Sequence, residues 1–358
     1  MYITDYKIWN PKKVFSSKFV KQETEITIVV PVYNQEKIIK NNLLSIENKL
    51  SSKCNFLIID DSSGDTSLRE ILEFANLMAQ KKVHVEVYKN YFPRFETYCD
   101  DFLISIANSN YVLEIQADME IREMHFDLKL LRAIKSNNSL FAISGRGTHN
   151  FKSVLENFAL SLGTDRAYSN SVKSYVFTRI QYQLYRLKKA LFQINRNIGV
   201  NSADKIFEVE DPDYTFEFNK SGSAGRLGER IEKYPSENLL NANTIWSGET
   251  VMRGPLLIDK LKYTEVGGFN TKIFFQGFDD HDMFLKANLE FGYRVGYVPI
   301  GFISPISSGS SRRPRTLLNE LLILFHILKR RKRIKRSYLY SCNQSKNPIN
   351  FTNKILDF

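Results

Sequence analysis

Acidic and amide side chains in the first third of this sequence have the spacing to hold a cation. Asp60 and Asp61 stand side by side, and the run at 116–120 (QADME) adds an amide and two more carboxylates. One or two carboxylates that share the oxygens of a diphosphate are the usual protein ligands of Mg²⁺ or Mn²⁺. These residue types therefore indicate a divalent cation beside an anionic ligand.

A second acidic group places Asp279, Asp280 and Asp282 within four residues. Carboxylates this close repel one another unless a cation, separate hydrogen bonds or the positive end of a helix relieves the charge. The residues that follow, 283–289 (MFLKANL), have helical character, so we expect the group at a helix N-terminus. We assign the capping role to Asp282.

The elements that must position the first group form a repeating pattern. Short β-branched runs occur at 26–30, 55–60, 83–88 and 111–115, at nearly constant spacing, with helical periodicity between them. Asp65 and Thr66 are candidate N-caps for the second helix. Strands alternating with helices predict βαβ units on a mostly parallel sheet covered on both faces.

Each of three predicted strands ends in a polar segment, and these segments lie at 31–36, 60–65 and 116–120. Ligands bind beyond the carboxyl ends of parallel strands, so we expect the three segments to form one site. Taken singly, each is equally compatible with an ordinary turn. The sequence has neither Gly-x-Gly-x-x-Gly after the first strand nor a Gly-x4-Gly-Lys-Ser/Thr loop, which disfavours dinucleotide and P-loop folds.

The net charge of +11 is concentrated near the C-terminus. Residues 312–336 contain ten Lys or Arg and one acid, so the rest of the chain is nearly neutral. Within this segment an apolar stretch, 317–328, runs into seven bases at 329–336, a pattern typical of interfacial binding to anionic lipid. Nucleic-acid binding and a solvated helix end are the alternatives, and no nucleic-acid-reading module accompanies the bases.

Neither disulfides nor export is indicated by the sequence. The three cysteines show no disulfide or zinc spacing, the N-terminus has no apolar signal region, and no run is long enough to span a bilayer. We therefore expect a cytoplasmic protein, peripheral on the inner face of the membrane if the basic segment binds lipid.

Several motifs resemble those of inverting family 2 glycosyltransferases, which have a GT-A fold. Residues 30–36 (VPVYNQE), followed by 60–67 (DDSSGDTS), look like the start of that family, and 110–118 ends where the family has an Asp-x-Asp motif. The acceptor-side motifs of the family are matched by 267–270 (GGFN), 277–282 (GFDDHD) and 292–299 (GYRVGYVP).

The resemblance implies a nucleotide-diphospho-sugar donor, UDP-sugar favoured, and a divalent cation, Mn²⁺ or Mg²⁺. It implies that the Tyr33 ring lies against the nucleobase, that Asp61 binds the base edge and that Asp118 binds the metal. Gln116 occupies the place of the first motif Asp, where an amide can hold ribose but is a poor metal ligand. Glu120 either restores an acidic metal-binding pair with Asp118 or is a solvated surface residue. The other expected donor-binding residues are Pro31, Glu36 and Ser63.

A further departure from the family lies after 297–299, where many relatives have a metal-binding His and this chain has Ser304 and Pro305. The metal site could be weaker as a result, or Arg312 or Arg313 could meet the diphosphate charge. The Ser/Gly-rich stretch 307–311 would suit a loop that closes over the donor, or an ordinary linker.

The same resemblance gives the second acidic group a role in the reaction. A carboxylate removes the proton of the acceptor hydroxyl, and we predict Asp280 as this base with Asp279 as the fallback. Asp282 and two residues outside the group, Arg253 and Trp246, are expected on the acceptor side. Arg253 could instead face the donor phosphate or lie in a surface turn, and Trp246 could lie in the core or in an interface.

The predicted organisation comprises an N-terminal lead at 1–25, a donor half at 26–120, a variable acceptor or partner region at 121–250, an acceptor-side catalytic half at 251–306 and a loop with a basic tail at 307–358. A long helix is predicted at about 171–195. The predicted activity is sugar transfer to a hydroxyl of a glycan or lipid-linked saccharide. A catalytically silent binding relative is the alternative, and a nucleotidyltransferase is disfavoured.

Overall fold

A computed structural model describes the chain over most of its first half and over several later segments. The described residues are 10–17, 23–146, 148–149, scattered helical positions between 177 and 191, 244–247, 250–251, 253–274, 279–303, 317–329 and 349–350. The predicted helix at 171–195, the Ser/Gly-rich stretch and the bases at 330–336 lie largely or wholly outside these ranges.

Strands and helices alternate along the described chain. The strands are β1 (Lys12–Ser16), β2 (Ile26–Val32), β3 (Cys54–Asp60), β4 (Val85–Lys89), β5 (Tyr111–Glu114), β6 (Glu120–Ile121), β7 (Leu140–Ser144), β8 (Thr148–His149), β9 (Thr244–Ser247), β10 (Thr250–Val251), β11 (Leu256–Asp259), β12 (Arg294–Tyr297), β13 (Phe302–Ile303) and β14 (Ile349–Asn350). The helices are α1 (Ile39–Lys49), α2 (Ser67–Gln80), α3 (Glu96–Ile106), α4 (Phe126–Lys135), α5 (Lys260–Val266), α6 (Asp279–Phe291) and α7 (Leu317–Lys329).

Ten of these strands form one sheet in the order β1-β4-β3-β2-β5-β11-β7-β12-β9-β14. Strands β4, β3, β2 and β5 are mutually parallel, and β7 is parallel to β12. Strand β11 lies antiparallel between β5 and β7. The prediction of an α/β sheet flanked by helices is confirmed, and the four predicted strands correspond to β2, β3, β4 and β5. The sheet is mixed rather than mostly parallel, because four of its nine neighbouring strand pairs are parallel and five are antiparallel.

The two faces of the sheet are covered by different helices. On β2, Ile28 and Val30 join the core formed with α1, α2 and α4, whereas Val29 points into the core formed with α3, α5 and α6. Successive side chains of a strand point to opposite faces, so an apolar run such as β2 is required when both faces are buried. The sheet is thereby fixed as a rigid platform for the residues at its carboxyl edge.

Strand register places the first two polar segments side by side. Val32 at the end of β2 pairs with Asp60 at the end of β3, and the Asp61 N–H donates to the Val32 carbonyl at 2.8 Å. The chain then leaves both strands at the same edge, at Tyr33 and Asp61. The expected meeting of these two segments at one rim is confirmed.

Candidate functional site

The loops after β2 and β3 are held together by reciprocal hydrogen bonds. The Asn34 N–H donates to Ser63 Oγ at 3.0 Å, and the Gly64 N–H donates to Asn34 Oδ1 at 2.8 Å. Glu36 Oε2 accepts from the Thr66 N–H at 3.1 Å and from the Thr66 hydroxyl at 3.0 Å. Two residues predicted to bind donor, Glu36 and Ser63, therefore also shape the rim on which a donor would lie.

The N-terminus of α2 is capped by residues on both loops. Thr66 occupies the N-cap position, but its side chain makes no capping bond. Instead Asp65 Oδ1 accepts from the Ser67 N–H at 2.9 Å, and Glu36 accepts from the Thr66 N–H. Of the two caps predicted from sequence, Asp65 provides a hydrogen bond and the Thr66 side chain does not.

Asp61 is buried and positions the segment that follows β4. Its Oδ1 accepts from Asn90 Nδ2 and from the Arg94 N–H, both at 2.7 Å, and its Oδ2 accepts from the Phe95 N–H at 2.9 Å. Charge-assisted bonds to backbone N–H groups are strong, so Asp61 fixes this loop at the rim. Tyr33, the first residue after β2, is half-buried at the same edge of the sheet.

Gln116 is linked at both ends of its amide. Arg146 Nη1 donates to Gln116 Oε1 at 2.9 Å, and Gln116 Nε2 donates to Glu96 Oε1 at 2.9 Å. Arg146 also donates to the Arg253 carbonyl at 3.4 Å. Glu96 and Arg146 were not foreseen from sequence, because each lies outside the matched motifs and only the fold brings them to the end of β5.

Arg253 is the centre of a buried ion-pair network. Its Nη2 bonds Asp100 Oδ2 and lies 3.5 Å from Glu114 Oε1, and its Nη1 donates to Asp279 Oδ2 at 2.8 Å. The alternative that Arg253 lies in a surface turn is wrong, because its side chain is only 8% exposed. Burial works to lower the pKa of the guanidinium, but Glu96, Asp279 and Asp280 outweigh it and raise the pKa.

Glu114 contributes a fully buried carboxyl to this network. Burial is the main cause that raises its pKa well above the ordinary value, and the charges of Glu96 and Asp279 act in the same direction. Glu114 is the last residue of β5, where it follows the apolar residues Val112 and Leu113. Its place is explained by Arg253, which approaches it from the segment before β11.

Within the described ranges, one group of three carboxylates is close enough to share a metal ion: Glu96, Asp100 and Glu114, with ligand atoms within 4.8 Å of one another. The guanidinium of Arg253 already bonds Asp100 and lies beside Glu114. A cation at the centre of the group would face that positive charge. We therefore interpret Asp100 as the counter-ion of Arg253, with the buried Glu114 carboxyl beside the pair.

The second acidic group opens α6, as predicted. Asp279 and Asp282 are buried, whereas Asp280 is partly exposed. Asp280 Oδ1 accepts from the His281 N–H at 2.6 Å. Asp279 is paired with Arg253, so the structure gives the two neighbouring acids different surroundings.

The Gly-Gly-Phe motif directs an aromatic ring toward Arg253. Gly267 ends α5 in the left-handed conformation, and a Cβ on Gly268 would lie 2.6 Å from Asp101 Oδ1. Asp101 accepts from the Tyr263 hydroxyl at 2.6 Å. This close packing leaves the Phe269 ring 4.9 Å from the Arg253 guanidinium, a cation–π contact.

A tight backbone approach also joins Arg253 to Gln116. Gly254, directly after Arg253, has a φ of +56°, and a Cβ there would lie 2.9 Å from the Gln116 backbone nitrogen. Any larger residue would push the two segments apart. The donor-side residue Gln116 and the buried acidic network are thus fixed relative to each other.

The remaining predicted site residues lie on several different elements. Asp118 lies half-buried between β5 and β6, and Glu120, in β6, pairs with Arg122 at 2.7 Å. Trp246 lies in β9, where its backbone pairs with Tyr297. Pro31 is buried in β2. Ser304 and Pro305, which stand where many relatives have a metal-binding His, and the arginines expected near the diphosphate, Arg312 and Arg313, lie outside the described residues.

Residues 27–202 match the family model described as Glycosyl transferase family 2. No protein of curated function matches the chain in sequence.

Solved structures with a similar fold include the mannosyltransferase PcManGT from Pyrobaculum calidifontis in complex with GDP-Man and Mn²⁺, at 10% identity and a TM-score of 0.47 over 92% of this chain and 77% of that one. S. aureus TarS 1–349 in complex with UDP-GlcNAc is 12% identical, with a TM-score of 0.45 over 89% and 72% of the two chains. GalNAc-T7 with UDP, GalNAc and Mn²⁺ is 12% identical, with a TM-score of 0.46 over 78% and 43%.

Proposed function

Since the chain belongs to glycosyl transferase family 2 through residues 27–202 and has a GT-A fold, we propose that it transfers a hexosyl group from a nucleotide-diphospho-sugar to an acceptor hydroxyl with inversion. UDP-sugar is the favoured donor. A glycan or lipid-linked saccharide is the proposed acceptor, in the biosynthesis of a polysaccharide.

The family match is the observation that carries this proposal, because it covers the segments that form the rim. Two of those segments are joined by the bonds of Asn34 and Glu36 to the loop after β3. The third begins at Gln116, which Arg146 and Glu96 hold at the end of β5. A nucleotide on this edge would have Tyr33 as an aromatic face and Asp61 beneath the loop at 90–95.

A divalent cation, Mn²⁺ or Mg²⁺, fits the charges of this chain. The network that contains Gln116 brings Glu96, Asp100, Glu114 and Asp279 together with two guanidinium groups, so negative charge exceeds positive charge even when Glu114 is protonated. A bound cation would neutralise the diphosphate and stabilise its departure. Asp118 and Glu120 are the sequence-based candidates for its ligands, and Glu120 is paired with Arg122 at 2.7 Å.

Asp280 is the proposed base of the displacement. The acceptor oxygen attacks the anomeric carbon as its proton passes to the Asp280 carboxylate, and the bond from that carbon to the nucleoside diphosphate breaks. The pairing of Asp279 with buried Arg253 supports this choice, because the Asp279 carboxylate is engaged in an ion pair that holds α6, whereas Asp280 is partly exposed. Arg253 itself is proposed to position α6, while Trp246 and Asp282 remain acceptor-side proposals.

The pair Asp280→Asn and Asp279→Asn tests the base. We expect Asp280→Asn to lower transfer by about 10²- to 10⁴-fold, because proton removal is lost, with nucleotide binding and unfolding free energy nearly unchanged. Asp279→Asn should instead lower the unfolding free energy by about 1–3 kcal/mol, because a buried charge-assisted bond to Arg253 is weakened. Radiolabelled donor, Mn²⁺ and candidate acceptors measure transfer, and urea unfolding measures stability.

Full transfer by Asp280→Asn would contradict its role as base. The second candidate function is a catalytically silent binding relative, because Gln116 stands in place of the motif Asp. If the wild type binds nucleotide but shows neither transfer nor slow donor hydrolysis, this second candidate is favoured.

The location proposed for the protein is cytoplasmic, at an anionic membrane surface. The described residues include no helix long and apolar enough to cross a membrane. Helix α7 supports a surface interaction, since Leu318, Leu321, Phe325 and Leu328 are exposed while Ile323 and Ile327 are buried. The exposed set spans one helical face, and seven bases begin at its C-terminal end, which complements anionic lipid.

A further inference from the structure

The two hydrogen bonds of the Gln116 side chain require an amide. Its oxygen accepts from Arg146 Nη1, and its nitrogen donates to Glu96 Oε1, each at 2.9 Å. An amide has one accepting end and one donating end, and a guanidinium and a carboxylate are their natural partners. The orientation of Gln116 is therefore dictated by the charges on either side.

A carboxylate at position 116 could not replace this amide while Glu96 is present. Both of its oxygens would accept, so one could bond Arg146 but the other would face the Glu96 carboxylate across about one hydrogen-bond length, where like charges repel. Gln116 and Glu96 are thus matched to each other. The departure from Asp-x-Asp at 116 coincides with a carboxylate placed one hydrogen bond away.

Glu96 is well placed to carry charge at the rim. It is exposed and lies in the first turn of α3, where a helix N-terminus stabilises a carboxylate. Asp100 and Glu114, by contrast, are buried around Arg253. Of the three carboxylates in this cluster, Glu96 is the one open to a ligand.

We propose that Glu96 supplies the negative charge that Gln116 lacks, so that Glu96 and Asp118 form the acidic pair facing the divalent cation. This inference rests on the proposed function. Gln116 then serves as a neutral positioning link between Arg146 and Glu96. Glu120 is excluded from the pair, because it lies in β6 with its carboxylate on Arg122.

Thermal unfolding of the full chain with UDP, at increasing Mn²⁺ concentration, tests whether Glu96 or Glu120 contributes to cation binding. Glu96→Gln should need about 10- to 100-fold more Mn²⁺ to reach the stabilisation of the wild type, because a carboxylate near the cation is lost. Glu120→Gln should respond as the wild type does. Glu73→Gln, an exposed carboxylate in α2 paired with Lys40, is the matched control. A wild-type Mn²⁺ response in Glu96→Gln, or its loss in Glu120→Gln alone, would overturn the inference.

A double substitution separates this role from a structural one. Gln116→Glu alone should lower the melting temperature of the ligand-free protein through repulsion from Glu96. The pair Glu96→Gln with Gln116→Glu should regain both that stability and the Mn²⁺ response, since it exchanges amide and carboxylate without changing the length of either side chain. If the pair does not compensate in the ligand-free protein, this inference fails. If the wild type responds to no nucleotide at all, the proposed function fails instead.

Discussion

At the scale of single residues, the reactive part of the molecule depends on which charges are buried together. The sequence motifs identified Asp279, Asp280 and Arg253. They did not predict that Asp279 and Arg253 form an ion pair. Asp100 and Glu114 attract no attention in the sequence, because a single acid in a helix or strand is common. Only the approach of the segment before β11 to β5 and α3 reveals them as partners of Arg253.

The raised pKa of Glu114 predicts how stability depends on pH. Its ordinary pKa is 4.5, and burial, followed by the charges of Glu96 and Asp279, raises the folded value well above that. The folded protein then binds this proton more tightly than the unfolded chain does. The resulting contribution of Glu114 to the unfolding free energy is fully present below about pH 4.5 and is lost as the pH rises toward the folded pKa.

Glu114→Gln keeps the shape of the protonated side chain but cannot ionise. The unfolding free energy of Glu114→Gln minus that of the wild type should therefore be larger at pH 8 than at pH 5, because only the wild type loses stability as the pH rises. Urea unfolding at the two pH values measures the difference, with Glu73→Gln as an exposed control. A difference that does not change with pH would mean that Glu114 is not held protonated by the fold.

At the scale of elements, the regular part of the fold could be predicted from the sequence and the connections could not. β-Branched runs and helical periodicity predict β2, β3, β4 and β5 and the first two helices, because burial on both faces leaves a clear apolar pattern. The antiparallel β11 between β5 and β7 has no such signature. Its place depends on a long-range choice of neighbour, which local sequence does not encode.

Helix α7 makes a prediction of its own. Phe325→Ser should weaken binding to vesicles containing phosphatidylserine by about tenfold, since burial of a large apolar side chain at an interface contributes roughly 1.5–3 kcal/mol at most. Leu261→Ser is the matched control, because Leu261 in α5 is 71% exposed and Phe325 is 64% exposed.

Cosedimentation with these vesicles measures the effect, and vesicles of phosphatidylcholine alone test the contribution of charge. Binding should fall in high salt, because the bases after α7 are screened. Equal binding to both kinds of vesicle, or equal loss in Leu261→Ser, would contradict a specific interface at α7.

At the scale of the whole molecule, the charge has two separate functions. Residues 312–336 hold most of the positive excess, which we assign to location, whereas the body of the chain contains acids that are partly balanced by buried arginines. Arg253 and Arg146 also join the donor-side segment at Gln116 to α6. The predicted divisions at 26–120 and 251–306 remain predictions, and in the structure these two stretches share one sheet.

The central claim, that this rim binds a nucleotide-diphospho-sugar with a divalent cation, is tested most directly by thermal unfolding of the full chain with UDP, GDP, dTDP and CDP, each with and without Mn²⁺. A ligand that binds only the folded state stabilises it by about 2.7 kcal/mol at one hundred times its dissociation constant. We predict a rise in melting temperature with UDP that is larger when Mn²⁺ is present. No rise with any of the four nucleotides, with or without Mn²⁺, would contradict the account.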